Sequence, residues 1–539
     1  MHRSVRRSMS RVFSAMTVLV FLLSACGAQP QASPPTSAPA TPTTTTVPAE
    51  LTVTQSPVAP TTPPTPASAM GSSLTVAISG DIDNFDPAYN QLILYEAVIR
   101  NTVFSPLVTL DKDMQIVPAL ATSWEQKDET TWIFNLRKGV TFHNGKPFSA
   151  EDVLHTFDRT IKQKMTFASK LEPIERTEVI DDHTLKITLK RPVATFLDDL
   201  YDVAITPSNV SDEELKRKPV GAGPFRFVSW TPNEAIVLER NPNYWEPGKP
   251  RLDRLTFRVL PDTTAAILNL LAGEIDAIYD VPVADAQAVK DNPNIVFHRP
   301  SASGSLFLIE LGIANNPALQ DVQVRRALAH TIDRATINQT VYFGEGQVTC
   351  TPLPAFSWAY VEQECPAYDL ERARALLKAA GKSDLTFSIE VISGLKAMED
   401  IATIWQASLR QIGVTLEINK SELNTWLDRY VNKNYDTIAN WFNTSSDPNS
   451  MFDIIYKPLL ASVYNNPKMN QLILDAAATS DRSARKAMYA ELQRMTVDET
   501  APLIVVMGQP MLALTSRKVT NWEMNGRNVI LFQNVTVAP

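Results

Sequence analysis

The sequence predicts an α/β protein whose folded body, residues 74–539, contains at least two lobes. Three observations support this prediction. Apolar and polar residues alternate as in strands at 131–142 and 185–189, and apolar residues recur at helical spacing at 324–335 and 401–412. The body is also longer than one hydrophobic core usually extends.

The N-terminus has the features of a secretory signal peptide over residues 1–25. Four arginines precede an apolar segment at 12–23, which is too short to span a membrane as a helix. The sequence LSAC at 23–26 resembles the lipobox of bacterial lipoproteins, which implies that Cys26 is the site of lipid attachment. An ordinary cleavage site beside a chance cysteine is the alternative.

Residues 26–73 are rich in Pro and Thr, and Glu50 is the one charged residue between 27 and 70. Such a segment cannot bury enough apolar surface to offset the entropy lost on ordering. Pro-rich sequences also favour extended conformations. We therefore predict a disordered linker between the lipid anchor and the folded body.

The first half of the body contains clear local signals for strands and a helix. The alternation at 131–142 predicts a strand, and Asn144-Gly145 after it suits a tight turn. Ser149 and Asp152 have the spacing of a capping pair, which predicts a helix that starts after Ser149. The alternation at 185–189 predicts a half-buried strand.

The second half contains three helical patterns. One covers 324–335, and another covers 373–380 with Asp369 as the N-cap and Gly381 as the end. The third covers 401–412 and is followed by alternation at 414–418, which predicts a helix and then a strand.

The charge of the chain argues against a nucleic acid partner. The net charge is -8, and removal of the four arginines of the signal peptide makes it -12. An acidic surface without a basic cluster is not suited to phosphate backbones.

Cys350 and Cys365 are the two cysteines of the body. Outside the cytoplasm, two cysteines at this spacing most simply form a disulfide. Two separate buried thiols are the alternative. No histidine or third cysteine stands near them in the sequence, which argues against a metal pair.

No catalytic pattern stands out in the sequence. The chain lacks a glycine-rich phosphate loop, an H-E-x-x-H motif and a G-x-S-x-G motif. Ser483 and Lys486 fit S-x-x-K, but the companion S-D-N and K-T-G motifs are absent, so a cell-surface serine hydrolase is a minor hypothesis. We expect a binding protein rather than an enzyme, with no catalytic residue, no metal and no cofactor.

Seven stretches carry a family resemblance. They are LTVAISGDIDNFDPAYN (74–90), PALATSWEQKDETTWIFNLRKGVTFHNGKPFSAEDV (118–153), GAGPFRFVSW (221–230), VLERNPNYW (237–245), LLAGEIDA (270–277), VQVRRALAHTIDR (322–334) and FGEGQVTCTPLP (343–354). In this order they resemble the family 5 extracellular solute-binding proteins of bacterial ABC importers, which include dipeptide- and oligopeptide-binding lipoproteins. The matches span 74–460 and are specific as a set.

The resemblance implies a type II periplasmic-binding-protein fold with an additional lobe and a ligand cleft between lobes I and III. The lobes would be distributed along the chain as follows: lobe I at 74–108, 221–305 and 505–539, lobe II at 109–220, and lobe III at 306–504. It also implies a monomer that closes on its ligand by a hinge motion. This monomer would deliver the ligand to an ABC permease and ATPase at the outer face of the cytoplasmic membrane, on the periplasmic or cell-wall side.

The resemblance further implies where the ligand binds. Peptide-binding members contain a segment similar to W-x-x-D-x-x-D-P, whose first acid pairs with the α-amino group of the ligand. Here Trp441 and Asp447 align with this segment, but Thr444 replaces the first acid. The implied ligand-binding residues are Tyr89, Trp441, Phe442, Asn443, Thr444 and Ser445.

Peptide is the default ligand of the family, and Thr444 leaves alternatives open. Asp86 or Glu345 could supply the missing charge. Otherwise the ligand lacks a free amine, as an oligosaccharide, another small polar solute or a nickel chelate would. Trp441 could stack on a sugar while Asn443 and its hydroxyl-bearing neighbours donate hydrogen bonds. A polar surface loop after a strand, or an accessory that reports ligand to a sensor, are further alternatives.

Overall fold

The structure is a computed structural model that describes residues 72–89, 93–300, 304–443, 446–456, 458, 464–498 and 502–538. The predicted signal peptide, Cys26, the linker up to residue 71, Thr444 and Ser445 lie outside the described residues. Over the described part of the chain, no helix combines the length and the apolar character needed to cross a bilayer.

The described strands are numbered in chain order. They are β1 Ser73–Ile78, β2 Val108–Leu110, β3 Ile116–Pro118, β4 Ala121–Gln126, β5 Thr131–Leu136, β6 Ile174–Asp181, β7 Thr184–Leu189, β8 Phe225–Thr231, β9 Ala235–Arg240, β10 Arg254–Val259, β11 Ala277–Val281, β12 Ile295–His298, β13 Ser305–Leu311, β14 Thr386–Ile392, β15 Thr415–Ser421, β16 Thr437–Asn443, β17 Leu503–Gly508, β18 Leu512–Ser516, β19 Val519–Thr520 and β20 Thr536–Val537.

The helices lie between and after these strands. The α-helices are Ile93–Tyr95, Asn101–Val103, Ala150–Lys162, Ala168–Leu171, Phe196–Tyr201, Asp212–Arg217, Thr263–Ala272, Val283–Ala286, Val322–His330, Arg334–Thr340, Leu370–Ala379, Lys396–Arg410, Leu423–Val431, Asn449–Met451, Pro467–Ala478 and Arg482–Asp498. Two π-helical turns, Glu96–Arg100 and Phe452–Tyr456, and three 3₁₀ turns, Gln287–Val289, Pro317–Gln320 and Phe532–Asn534, complete the helical structure of the described residues.

Lobe I is built on a seven-stranded sheet in the order β12-β18-β11-β1-β10-β9-β8. β1 pairs in parallel with β10 and β11, and the other neighbours pair antiparallel. Both faces of β1 are buried, because Val76 belongs to one core cluster and Ala77 to another. Parallel strands covered on both faces need apolar residues at successive positions, which explains the run LTVAI.

Lobe II is built on an antiparallel sheet in the order β4-β5-β7-β6, with the hairpin β2-β3 beside it. Alternate residues of β5 and β7, such as Phe134, Leu185 and Ile187, are fully buried. They form one core cluster with Val153 and Phe157 of the helix Ala150–Lys162. The alternation at 185–189 and in the first half of 131–142 therefore reflects a sheet with one covered face. The strand predicted over 131–142 is shorter in the structure, because β5 ends at Leu136 and a turn follows at 138–139.

Lobe III is built on a five-stranded sheet in the order β15-β14-β16-β13-β17. β14, β15 and β16 are parallel, and β13 runs antiparallel between β16 and β17. The predicted border of lobe III at 504 falls inside β17, because the pairing of β17 with β13 keeps residues as far as Gly508 in this sheet. β18 then returns the chain to the sheet of lobe I.

Most of the locally predicted helices are confirmed. Ser149 and Asp152 form the predicted capping box of the helix Ala150–Lys162. The Asp369 side chain accepts from Arg372 N and caps the helix Leu370–Ala379, and the helix Lys396–Arg410 is followed by β15. The pattern at 324–335 is not one helix, because the structure breaks it between His330 and Arg334.

The GAGPF segment at 221–225 holds lobes I and II together. Gly223 N donates to the Val103 carbonyl at 2.9 Å, and His143 N donates to the Gly221 carbonyl at 2.9 Å. The His143 ring lies between the two glycines, with Nε2 3.1 Å from the Gly223 carbonyl and Nδ1 accepting from Gly221 N at 3.3 Å. This arrangement requires a neutral imidazole with its proton on Nε2.

A buried cluster of charges also joins lobes I and II. Arg100 and Arg527 contact the carboxylates of Glu96 and Asp202 at 2.7 to 3.2 Å, and the Lys170 ammonium contacts Asp202. Burial by itself raises the pKa of Asp202, but Lys170, Arg527 and Arg100 hold it well below its usual range. Acids and cations from both lobes therefore neutralise each other in this cluster. Separation of the lobes would leave some of these charges unpaired, so the two lobes are expected to move together.

We expect His143 to make the stability of the protein sensitive to acid. Burial lowers the pKa of His143 to about 4, even though the hydrogen bond to Gly223 raises it. The unfolded chain therefore binds a proton at higher pH than the folded chain, and stability falls as the pH drops from about 6.5 to about 4. The maximum loss from this group is about 3 kcal/mol.

The measurement is urea unfolding of the wild type and of His143→Gln at pH 7 and pH 4.5. Other groups titrate in the same range, but they contribute equally to both proteins and cancel in the comparison. The variant should lose less stability on acidification than the wild type. Equal losses in the two proteins would show that His143 is not the source of the acid sensitivity.

Candidate functional site

Two crossovers connect lobe I with lobe III. The first, 299–304, runs from β12 to β13, and the second, 509–511, runs from β17 to β18. The start of β13 lies beside the start of the second crossover, because Gln509 N donates to the Ser305 carbonyl at 2.8 Å and Ser305 Oγ donates to Gln509 Oε1 at 3.1 Å. A pair of short adjacent connections is the geometry of a hinge.

Each of the sheets of lobes I and III has one edge at which its parallel strands end. The two crossovers join these two edges. In lobe I, β1, β10 and β11 end at Ile78, Val259 and Val281, and β12 points the same way. In lobe III, β14, β15 and β16 are parallel and β17 runs in their direction. Ligands of open α/β sheets bind outside the carboxyl ends of the strands. These two edges therefore border the candidate ligand cleft.

Among the described residues, lobe III shares an apolar cluster with lobe I and pairs Glu345 with Arg299. It also contacts the other two lobes at three further places beside the cleft. The Phe356 ring packs against Gly526 and joins a small apolar cluster with Leu110, Met114 and Tyr201 of the lobe I–lobe II body. Gly304 N donates to the Gly526 carbonyl at 3.0 Å. We call this meeting of the three lobes the junction.

The other two contacts connect lobe II with lobe III. Ala194 N donates to the Ala477 carbonyl at 3.3 Å, and Ser446 Oγ donates to the Asp198 carboxylate. Burial, and then the negative charge of Asp447, raise the pKa of Asp198 well above its usual range. No local sequence pattern identifies Asp198, because its position depends on the packing of two distant segments.

The loop from 343 to 366 extends from the hinge to the junction. Gln347 and Gly508 exchange two backbone hydrogen bonds, of 3.0 and 2.8 Å, which tie the start of this loop to the end of β17. Cys350 and Cys365 are joined by a disulfide whose Cα atoms are 5.5 Å apart. The bridge closes the loop that carries Phe356.

The end of β16 places three of the predicted ligand-binding residues at the cleft edge. Trp441, Phe442 and Asn443 are half-buried and pair with the start of β13. Asn443 Oδ1 is buried and has no hydrogen-bond donor among the described residues. Ser446 follows on the same connection and contacts lobe II. This edge therefore presents two half-buried aromatic side chains and, in Asn443, a hydrogen-bond acceptor without a donor among the described residues.

Tyr89 lies elsewhere in the structure. It is 41% exposed, its carbonyl accepts from Thr166 Oγ1 at 3.0 Å, and the Lys216 ammonium stands 5.0 Å from its ring centre. Within the described ranges, no hydrogen bond, ion pair or ring contact joins Tyr89 to the end of β16. Its part in ligand binding stays a prediction.

The two acids considered as replacements at position 444 are already engaged. Asp86 is fully buried, and Arg159 Nη1 donates to its Oδ1 at 3.2 Å. Glu345 forms an ion pair with Arg299 at the first crossover. Each carboxylate therefore already has an arginine partner, and the expectation that either one supplies the missing charge stays a prediction.

The two residues of the serine hydrolase hypothesis do not belong to the strands that border the cleft. Ser483 and Lys486 are exposed at the start of the helix Arg482–Asp498. In the parts of the chain that the structure describes, no group of three or more His, Cys, Asp or Glu side chains is arranged to hold a metal ion.

Comparisons with known proteins agree with this geometry. The family model described as bacterial extracellular solute-binding proteins, family 5 Middle, matches residues 115–459. Among curated proteins, heme-binding protein A of Haemophilus influenzae is 30% identical over 486 residues, covering 81% of this chain and 87% of the relative. Di/tripeptide-binding protein 1 of Pseudomonas aeruginosa is 28% identical, covering 87% of this chain and 95% of the relative.

Solved structures include a protein of the same fold with a bound peptide. The ABC transporter-associated periplasmic binding protein DppA from Helicobacter pylori, in complex with the peptide STSA, is 27% identical and superimposes with a TM-score of 0.73. The match covers 87% of this chain and 98% of that protein. This likeness confirms the predicted type II fold.

Proposed function

Since this chain belongs to the family 5 bacterial extracellular solute-binding proteins, as its sequence resemblance predicted, we propose that it captures peptides outside the cytoplasm and delivers them to an ABC importer. One observation carries the proposal. The carboxyl edges of the sheets of lobes I and III border one cleft, and the chain passes between the two lobes by two short crossovers. A cleft bordered by strand ends and closed by a hinge is suited to enclosing a small solute.

The proposed mechanism is hinge closure. Lobes I and II form one body through the GAGPF segment and the buried charge cluster, and lobe III forms the other. A solute that contacts both bodies binds the closed state more tightly, and it shifts the population towards that state in proportion to the difference in affinity. The junction and the contact between Ser446 and Asp198 would form on closure.

Peptide is supported as the solute by the names of the relatives. One is described as a di/tripeptide-binding protein, and one solved structure contains a bound peptide. The two half-buried aromatic residues at the end of β16, Trp441 and Phe442, suit a ligand with apolar side chains. We retain Tyr89, Asn443, Thr444 and Ser445 as proposed contacts.

Delivery would take place at the outer face of the cytoplasmic membrane. We propose that Cys26 is lipidated and that the segment from 27 to the start of β1 at Ser73 holds the folded body close to an ABC permease, whose ATPase supplies the energy. The closed form is the state that would dock on the permease. We further propose that the protein acts as a monomer.

The experiment begins with the ligand that the protein carries from its own host. Protein purified without denaturation is unfolded, the released small molecules are identified by mass spectrometry, and thermal shifts are then measured with a library of di- to pentapeptides. We expect released peptides and a higher melting temperature with library members. Small-angle scattering should show a smaller radius of gyration with peptide than without it. No shift with any peptide would refute the peptide function.

An oligosaccharide is the second candidate, and two observations favour it. Thr444 replaces the acid that would pair with an amine, and Asn443 Oδ1 is a buried acceptor with no donor among the described residues. A panel of neutral oligosaccharides in the same thermal-shift assay separates the two candidates. If oligosaccharides raise the melting temperature and peptides do not, the oligosaccharide function replaces the peptide function.

A further inference from the structure

Asp280 occupies an unusual position at the carboxyl end of β11, on the cleft edge of lobe I. Ile278 pairs with Leu514 and Val281 pairs with Leu512, so Tyr279 and Asp280 together face Ala513 alone. This is a β-bulge, a feature that re-aims side chains and is common beside active sites.

The backbone of Asp280 is also strained. Its φ is +59°, in the left-handed region that residues other than glycine rarely adopt. Asp and Asn tolerate this region better than other side chains, but it still costs on the order of 1 kcal/mol. A strained residue in a bulge persists when the surrounding structure or a function requires it.

The carboxylate of Asp280 has no partner in the described part of the chain. The side chain is half-buried, and no hydrogen bond or ion pair from the described residues reaches it. Burial alone raises its pKa to about 7. Asp202, by contrast, is compensated by three cations. The bulge therefore holds an acid at the cleft edge without the positive charge that a buried carboxylate requires.

The neighbour of Asp280 connects this position to the junction. Tyr279 Oη donates to the Asn528 carbonyl at 3.0 Å, and Asn528 lies two residues after Gly526, which contacts Phe356 and Gly304. The bulge therefore belongs to the part of lobe I against which lobe III closes.

We propose that Asp280 recognises a protonated amine of the solute, the α-amino group when the solute is a peptide. This inference rests on the proposed peptide function and deepens it by naming the charged contact. Three facts lead to it: position 444 has no acid, Asp86 and Glu345 are paired with arginines, and Asp280 is uncompensated at the cleft edge. An ammonium group would form a charge-assisted hydrogen bond with this carboxylate. Recognition of the amine would thus come from lobe I instead of lobe III.

The test is a double-mutant cycle between Asp280 and the amine of the ligand. The tightest binder from the di- to pentapeptide library and its N-acetylated form are titrated by calorimetry at pH 8 into the wild type, Asp280→Asn and Asp291→Asn. Asn keeps the size of the side chain and tolerates positive φ, so the bulge is preserved. Asp291 is an exposed acid in the same lobe and serves as the matched control for a change of net charge.

We expect N-acetylation to weaken binding to the wild type by about 10- to 100-fold, and Asp280→Asn to weaken binding of the free amine by a similar factor. The N-acetylated peptide should bind the variant and the wild type equally, and Asp291→Asn should match the wild type. A merely structural effect of the substitution would weaken both ligands alike. As a second readout, Asp280→Asn should melt at a higher temperature than the empty wild type at pH 8, because an uncompensated charge is removed.

Two outcomes overturn the assignment, and they can be told apart. If the wild type binds no peptide of the library, the peptide function fails and the assignment fails with it. If the wild type binds peptides and Asp280→Asn still discriminates against N-acetylation as strongly, the peptide function stands and the assignment to Asp280 is wrong.

Discussion

Replacement of Gly221 by alanine is expected to destabilise the protein by at least about 3 kcal/mol, or to prevent folding. A Cβ atom at this position would lie 2.1 Å from the Val103 carbonyl oxygen and 2.9 Å from Phe104 Cα. Both atoms belong to the backbone, so relief requires the GAGPF segment to move away from the chain at Val103 and Phe104. Thermal unfolding of the purified variant, or its yield in the folded fraction, measures the effect.

Two other glycines provide a graded control. Gly80 has open space, with Leu94 Cδ2 at 3.8 Å, and we expect Gly80→Ala to change stability by less than about 1 kcal/mol. Gly145 has open space but a φ of +83°, so Gly145→Ala should cost about 1 kcal/mol through backbone strain alone. Similar costs at all three positions would contradict the steric explanation for Gly221.

Replacement of Arg527 by methionine is expected to cost about 3 kcal/mol, because it removes one cation from a buried cluster and leaves its acids undercompensated. Arg527 Nη2 lies 2.9 Å from Glu96 Oε2 and 3.2 Å from Asp202 Oδ1, and its side chain is only 17% exposed. Methionine retains most of the apolar stem, so the loss reports mainly on charge. Urea unfolding followed by tryptophan fluorescence measures the change.

The matched control is Arg226→Met. Arg226 pairs with Glu239 at 2.7 Å, but both side chains are more than 40% exposed. Solvent screens such pairs, and we expect a change below about 1 kcal/mol. Equal effects of the two substitutions would show that burial does not strengthen the contribution of Arg527.

The sequence predicts those elements whose signals are local. The capping box at Ser149 and Asp152 and the cap at Asp369 each satisfy backbone donors within one turn, so they act in the same way in any tertiary context. The alternation of apolar and polar residues is also sufficient to predict strands at β5 and β7, because only one face of that sheet is covered.

The pattern at 324–335 shows where periodicity fails. Apolar spacing continues across the break at 331–333, because both helices bury residues against the same core. The Thr331 hydroxyl accepts from Trp405 Nε1 at 2.7 Å, and the Asp333 side chain accepts from Thr336 N to cap the second helix. Asp333 with Thr336 three residues later was the local signal that could have located this break.

The candidate site could be predicted only in part. The resemblance implied that Trp441, Phe442 and Asn443 bind the ligand, and the structure places them at the end of β16, on the cleft edge. The charge compensation of Asp86 by Arg159 joins residues 73 positions apart, and no sequence pattern indicates it. Asp280 depends on the register between β11 and β18, which are more than 200 residues apart, so its bulge could not be predicted from local sequence.

The placement of lobe III in the chain has an engineering consequence. Its first strand begins at Ser305 and its last crossover begins at Gln509, and these residues are joined by a backbone hydrogen bond of 2.8 Å. On the lobe I side, β12 and β18 are antiparallel neighbours, with His298 opposite Ala513. Lobe III is therefore an insertion between two strands that a short turn could connect. Excision of 301–510 with a designed hairpin loop should yield a miniature protein made of lobes I and II, in which the bulge at Asp280 is open to solvent.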